Sequence, residues 1–293
     1  MEVDRRSLMK GVLASGALLA LGPPPWAFAD RSPRRPNRCV LLLGGTSADD
    51  LFKSGARAAC AGMAYDDLRS VQLKDSLLTD TDTIIDLLSR SRGARWIAVL
   101  DDACAMMFLE LARPAGGRML SMGMHACSTD GPWPIRHDLT STSRDHSAGG
   151  LLASHVIQQS EDCFITETFL GEPSAEERAL RSWGAPGFSS HRFAGPDPIH
   201  VHCSGYSLSD GRRLLGLETT QGWLPIAPQA CTSESATWRS ENWVSSVGYA
   251  VTASALGIDT VPESCASRAF VHQTRNGKRA QRAERFVSFV MDI

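Results

Sequence analysis

The sequence predicts an α/β protein, with a mostly parallel sheet carrying helices on both faces and a hairpin-rich α+β second half. Three observations predict it. Two continuous apolar runs, Cys39-Val40-Leu41-Leu42-Leu43 and Trp96-Ile97-Ala98-Val99-Leu100, end in Gly44-Gly45 and Asp101-Asp102, as strands buried on both faces do. Segments of helical period separate and follow those runs, which gives a strand–helix alternation. Beyond residue 171 the pattern changes to short segments turned by Asp210-Gly211 and Asn276-Gly277.

Taken in order, Asp49 to Ala64 reads as the first helix, with Leu51, Phe52, Ala56, Ala59, Cys60 and Met63 on one face. Val71-Gln72-Leu73 is a short strand. Asp80 to Arg92 is a second helix, its start favoured by Asp80, Thr81 and Asp82. Ala103 to Arg113 is a third, stopped by Pro114 and Gly116-Gly117. Met119-Leu120-Ser121-Met122 is a strand, Ser147 to Gln159 a helix, and Cys163 to Thr168 a strand. A capping box at Ser174-Ala175-Glu176-Glu177 opens a short helix ending near Trp183-Gly184. A Gly/Pro/Ser-rich loop then runs to Pro198. Ile199 to Ser207 and Arg213 to Thr219 read as a hairpin, and Glu241 to Leu256 as an amphipathic helix ended by Gly257. A last hairpin turns at Asn276-Gly277 and returns through Phe286 to Met291.

The first thirty residues stand apart. Arg5-Arg6-Ser7-Leu8-Met9-Lys10 precedes the apolar run from Gly11 to Leu21, and Ala27-Phe28-Ala29 offers an A-x-A cleavage site before Asp30. The run is too short for a hydrocarbon core, which needs roughly 20 helical residues. The segment resembles a twin-arginine (Tat) signal peptide, with Asp4 before the arginines and Leu8 where phenylalanine is commonest. That resemblance implies the Tat translocase as a transient partner and the periplasm as destination. It also implies export in the folded state, for which a cofactor or metal loaded beforehand is one common reason. An ordinary secretory signal whose first residues contain Arg-Arg is the alternative. The organisation expected is therefore a signal over 1–29, a Rossmann-like α/β half over 30–170 and an α+β half over 171–293, with a Pro/Arg-rich tether from Asp30 to Asn37.

Removing the signal leaves roughly 260 residues, enough for a real core. The formal charge of −2, without a concentrated basic face, argues against nucleic acid as a partner. No stretch after residue 30 approaches a membrane span, so a soluble mature chain is expected. The eight cysteines are even in number but widely spaced, with no C-x-x-C pair. Cys39, Cys60 and Cys104 sit in apolar segments as small hydrophobes. One or two disulfides are expected, drawn from Cys203, Cys231 and Cys265 rather than those three.

Leu51-Phe52, Gly55, Ala58-Ala59 and Gly62 follow the first strand, a second helix leads to the strand ending Asp101-Asp102, and Arg144-Asp145-His146 through Gly149-Gly150-Leu151-Leu152 precedes another helix. Over roughly 120 residues this pattern resembles type I periplasmic binding proteins. The resemblance implies a small ligand held between α/β lobes, and the second half departs from it.

Three groups of residues carry candidate chemistry. Gly45, Thr46, Ser47, Asp101 and Asp102 fall at strand carboxyl ends, where open α/β sheets bind ligands. The same residue types also turn chains and cap helices. His200 and His202 flank Val201 before Cys203, so on a strand they share a face with Cα atoms about 6.5–7 Å apart. Two such imidazoles can chelate zinc, copper or iron, or simply be half-exposed hairpin residues. Met122-Gly123-Met124-His125-Ala126-Cys127 gathers soft ligands, with His125 and Cys127 as the metal candidates. Methionines alternating in a core strand are the bland reading.

No G-x-S-x-G, P-loop, H-E-x-x-H or G-x-G-x-x-G motif is present. A small-molecule or metal binder working in a strand-end crevice ranks first. A periplasmic hydrolase or metal-assisted redox enzyme ranks second, and an accessory factor for another exported enzyme third.

Overall fold

A computed structural model describes residues 38–61, 68–73, 81–128, 135–159, 161–171, 185, 187–193, 195, 197–217, 221–227, 238–258, 263–274 and 284–293. The signal-like segment, the tether to Asn37, the helix expected from Ser174, Cys231 and the Asn276-Gly277 turn lie outside the described residues.

The elements follow in the order β1 (Cys39–Leu43), α1 (Asp49–Ala61), β2 (Leu68–Gln72), α2 (Thr81–Arg90), β3 (Arg95–Leu100), α3 (Asp102–Ala112), β4 (Arg118–Cys127) and β5 (Ile135–Ser141). Then come α4 (Gly149–Gln159), β6 (Cys163–Phe169), β7 (Ser189–Phe193), β8 (Ile199–Ser204), α5 (Leu208–Leu214), β9 (Trp223–Ile226), α6 (Trp243–Leu256), β10 (Ser267–His272) and β11 (Glu284–Asp292). All eleven strands form one sheet, ordered β2-β1-β3-β11-β4-β5-β6-β10-β8-β7-β9.

The sheet is mixed and mostly antiparallel, which corrects the mostly parallel sheet expected from the strand–helix alternation. Only β1/β2, β1/β3, β5/β6 and β8/β10 run parallel. The β2-β1-β3 corner keeps the local strand–helix–strand logic. Past it, β11 enters antiparallel between β3 and β4, and β4 runs antiparallel to β5. Strand β5 escaped the sequence reading because Arg136, His137 and Asp138 interrupt it. In the sheet those polar groups find partners: Arg136 Nε donates to Asp138 at 2.8 Å, and Thr166 Oγ1 on β6 donates to Asp138 at 2.6 Å.

Both expected hairpins are also corrected. The residues around Asp210-Gly211 form α5, capped by Ser207, which accepts from Asp210 N at 3.2 Å. Gly211 is needed for close packing, since a Cβ there would lie 2.5 Å from Cys203 Sγ on β8. The strands flanking Asn276-Gly277 do not pair with each other: β10 lies between β6 and β8, and β11 between β3 and β4.

Alternation along the strands divides the core. Leu41, Leu43, Ile97, Val99, Ile165, Phe270, Phe286 and Val290 pack with α1, α4 and α6 on one face. Val40, Leu42, Trp96, Leu100, Val287 and Phe289 pack with α2 and α3 on the other. Helix α6 is not amphipathic as expected: all fourteen of its residues are buried. It starts at a capping box between Asn242 and Ser245 and ends at Gly257, whose φ of 71° suits the left-handed cap. It crosses α1 so closely that a Cβ on Gly248 would lie 2.2 Å from the Phe52 carbonyl, and one on Gly55 2.0 Å from the Ser245 carbonyl. No described helix is long and apolar enough to cross a membrane.

Candidate metal centre

Strand register assembles the site. On the α6 face, β6, β10 and β8 align Glu167, Arg268 and His200 in one row, and Ile165, Phe270 and His202 in the next. Ser190 on β7 continues the second row opposite His202. The segment entering β10 places Glu263 and Cys265 over the first row. His200, His202, Glu263, Cys265, Glu167 and Arg268 are each at most 2% exposed.

Glu263 is the hub. Its Oε2 lies 2.6 Å from His200 Nδ1 and 3.2 Å from His202 Nε2, while its Oε1 accepts from Arg268 at 2.9 Å. Arg268 Nε donates to Glu167 Oε2 at 2.8 Å and its other arm to Ser147. Glu167 also receives the Ala148 and Gly149 N–H groups at the start of α4. A Cβ on Gly149 would fall 2.6 Å from Glu167 Oε2, so the glycine makes room for the carboxylate. Arg144 donates to the backbone carbonyls of Glu263, at 3.1 Å, and Cys265, which fixes the path of the chain that carries both side chains.

The electrostatics follow from this burial. Desolvation alone would raise the Glu263 carboxyl, but His202, Arg268 and the imidazole hydrogen bonds hold it well below the usual carboxylate range. Desolvation lowers His200, with its Glu263 hydrogen bond offsetting only part. Burial pushes the Cys265 thiol well up. Burial opposes the charge of Arg268, yet Glu167 and Glu263 raise its pKa above the ordinary arginine value.

The ligand-type atoms of His200, Glu263 and Cys265 all lie within 4.8 Å of one another. Metal–nitrogen and metal–sulfur bonds are about 2.0–2.3 Å. Such a set therefore closes around one ion with small adjustments. His202 stands beside it, its Nδ1 held 2.8 Å from Ser190 Oγ so that Nε2 faces Glu263. The Ser190–His202–Glu263 chain has the residue types of a nucleophile relay, but Ser190 is only 5% exposed, so its hydroxyl serves to fix the ring.

The other sequence candidates lie elsewhere. His125 on β4 falls in the same row as His202, but β5, β6 and β10 stand between them. Four interstrand steps make about 19 Å, so the two histidine groups share no ion. His125 Nδ1 instead meets His137 Nδ1 at 2.9 Å, and its Nε2 meets Ser288 Oγ at 2.8 Å. Cys127 packs in the apolar core on the α6 face, whereas Met122 and Met124 belong to the opposite cluster. No two described cysteines are disulfide-bonded.

The strand-end groups are engaged locally. Gly45 N, Thr46 N and Thr46 Oγ1 all donate to Asp49 at 2.6–3.1 Å, so this side chain holds the N–H groups an anion would use. Ser47 donates to Glu284 at 2.9 Å, Asp101 caps α3 through Cys104 N at 2.8 Å, and Asp102 pairs with Arg285 at 2.7 Å.

The sequence reading does not reach Glu263, Glu167 or Arg268 as site residues, and it reaches Cys265 as a disulfide candidate. The available signal was a charge inside each of two apolar strands, Glu167 in Cys163–Phe169 and Arg268 in Ser267–His272, because buried charges require partners. Comparison with protein-family profiles, curated proteins and solved structures finds no match.

Proposed function

We propose that this chain binds one transition-metal ion through His200, Glu263 and Cys265, with His202 beside them as a fourth polar group. The observation that carries the reading is the convergence of an imidazole, a carboxylate and a thiol within 4.8 Å in a buried cluster. Arg144, Ser190 and Arg268 supply the outer hydrogen bonds that orient ligand side chains and their backbone. Mixed nitrogen, oxygen and sulfur donors suit zinc, copper or iron. An ion inserted before translocation would also account for the Tat-like signal. Binding is preferred to catalysis because the donors are closed off from substrate.

Elemental analysis of the full chain, expressed without a histidine tag and purified without chelator, tests this. About one equivalent of zinc, copper or iron is expected, falling at least tenfold in Cys265→Ser and His200→Asn. A folded, metal-free protein that takes up none of the three on dialysis would leave the cluster as a structural network and overturn the reading.

A further inference from the structure

We infer that His202 is itself a ligand through Nε2, so that four protein donors, His200, His202, Glu263 and Cys265, close the shell around the ion. This deepens the metal-binding reading of the same site and rests on it. Spacing supports it. Two donors on one four-coordinate ion with bonds of about 2.0 Å stand about 3.3 Å apart. His202 Nε2 lies 3.2 Å from Glu263 Oε2, already at that separation. For a hydrogen bond to a carboxylate it is long, since such bonds run to about 2.7–2.9 Å. His200 Nδ1, 2.6 Å from the same oxygen, is the contact that has to open. The two rings are inclined at 76° with centroids 6.2 Å apart. Two imidazoles on one tetrahedral ion stand about 5 Å apart, so a closure of roughly 1 Å completes the set.

Its neighbours hold the His202 ring in this pose. Strand β7 sets Ser190 opposite it, with Oγ 2.8 Å from Nδ1. Phe270, its register partner on β10, stacks on the ring at 4.5 Å and 14°, and Phe188 meets Phe270 edge-on at 5.7 Å. With Nδ1 tied to β7, Nε2 is aimed at Glu263. The Ser190 hydroxyl both donates and accepts. Nδ1 therefore keeps its partner whether Nε2 carries a hydrogen toward the carboxylate or gives its lone pair to an ion. Ser190 is thus a positioning residue. Two imidazoles and a carboxylate alone would suit non-haem iron, which keeps open positions. Here Cys265 adds a fourth donor, and all four residues are at most 2% exposed. The closed set suits an ion satisfied by four ligands and indifferent to their directions, zinc(II) foremost, held structurally rather than offered to a substrate.

The test is titration of the reduced full chain with cobalt(II), a spectroscopic substitute for zinc(II), and with zinc(II) against a chromophoric chelator. One equivalent of cobalt(II) is expected to give the intense visible bands of a four-coordinate ion, and zinc(II) to displace it. His202→Gln keeps an N–H for Glu263 but removes the imidazole lone pair. It should weaken zinc(II) binding about 100-fold and leave only the weak bands of higher-coordinate cobalt(II). Ser190→Ala should weaken zinc(II) about tenfold, and Ser190→Thr much less. X-ray absorption of the zinc form should count two imidazoles and one sulfur, a reading that needs no variant to fold. One imidazole, or a His202→Gln protein with unchanged bands and affinity, would overturn the inference while leaving the three-ligand reading standing. A chain that takes up copper or iron but neither cobalt(II) nor zinc(II) would overturn the closed zinc-type shell. One that takes up none of these ions would remove both readings.

Discussion

Arg268 and Glu263 meet at 2.9 Å with at most 2% of either residue exposed, and the same guanidinium reaches Glu167 at 2.8 Å. The arginine, on β10, thus ties β6 to the segment that carries two of the proposed ligands. A buried ion pair adds little net stability over apolar packing, but removing Glu263 takes from the buried Arg268 one of the two carboxylates it bridges. Glu263→Ala should therefore destabilise the apo-protein by about 3–5 kcal/mol, measured by urea denaturation in the presence of a chelator. A loss under about 1 kcal/mol would mean that Arg268 finds another partner or water.

Helices α1 and α6 touch through glycine. Gly248→Ala places a methyl group 2.2 Å from the Phe52 carbonyl, and backbone on both sides must move. Overpacking of this kind costs about 1–3 kcal/mol, visible as a lowered urea midpoint with an unchanged slope. No change would show that the two helices separate freely.

Loss of the α6 cap is a milder test. Asn242 Oδ1 accepts from Ser245 N at 3.0 Å, and Ser245 Oγ accepts from Asn242 N at 3.2 Å. Asn242→Ala should cost about 1 kcal/mol, and Asn242→Ser considerably less.

Acid sensitivity should come from the histidines buried beneath α6. Desolvation lowers His137 to about 3 and His125 well below 6.5, with His137 adding to the effect on His125. The unfolded chain takes up protons below about pH 6.5 while these folded rings stay neutral, so stability is lost as pH falls. Each such ring contributes about 1.4 kcal/mol per pH unit below that point. Between pH 6.5 and 5 histidine is the side chain whose ordinary pKa is crossed, so the window weights histidine. Urea midpoints there should fall steeply, and less steeply in His125→Leu/His137→Leu. An identical slope in that variant would assign the sensitivity to other histidines such as His146, which burial also lowers, to about 4.

How much of this was legible in the sequence follows from which interactions are local. Strands β1 and β3 coincide with the two apolar runs, and α1, α2 and α3 with their periodic segments, because burial and helix starts are written into neighbouring residues. The sheet's direction was not legible. Nothing within Phe286 to Met291 names β3 and β4 as its neighbours, and the turn-like Asn276-Gly277 suggested a partner that β11 does not have. The site divides in the same way. His200 and His202 share a face through their spacing alone, whereas Glu263 and Cys265 reach them only because β10 lies beside β8. Thr46 and Asp101 stand at strand ends as expected, yet Thr46 serves the start of α1 and Asp101 that of α3.

The most direct measurement is anomalous diffraction from crystals of the full chain grown with copper(I) or zinc(II). The predicted result is a single peak in the buried cluster, about 2.3 Å from Cys265 Sγ and about 2.0 Å from a His200 ring nitrogen. The contradicting result is metal found only on the protein surface, with Glu263 still bridging His200, His202 and Arg268 and no peak among them.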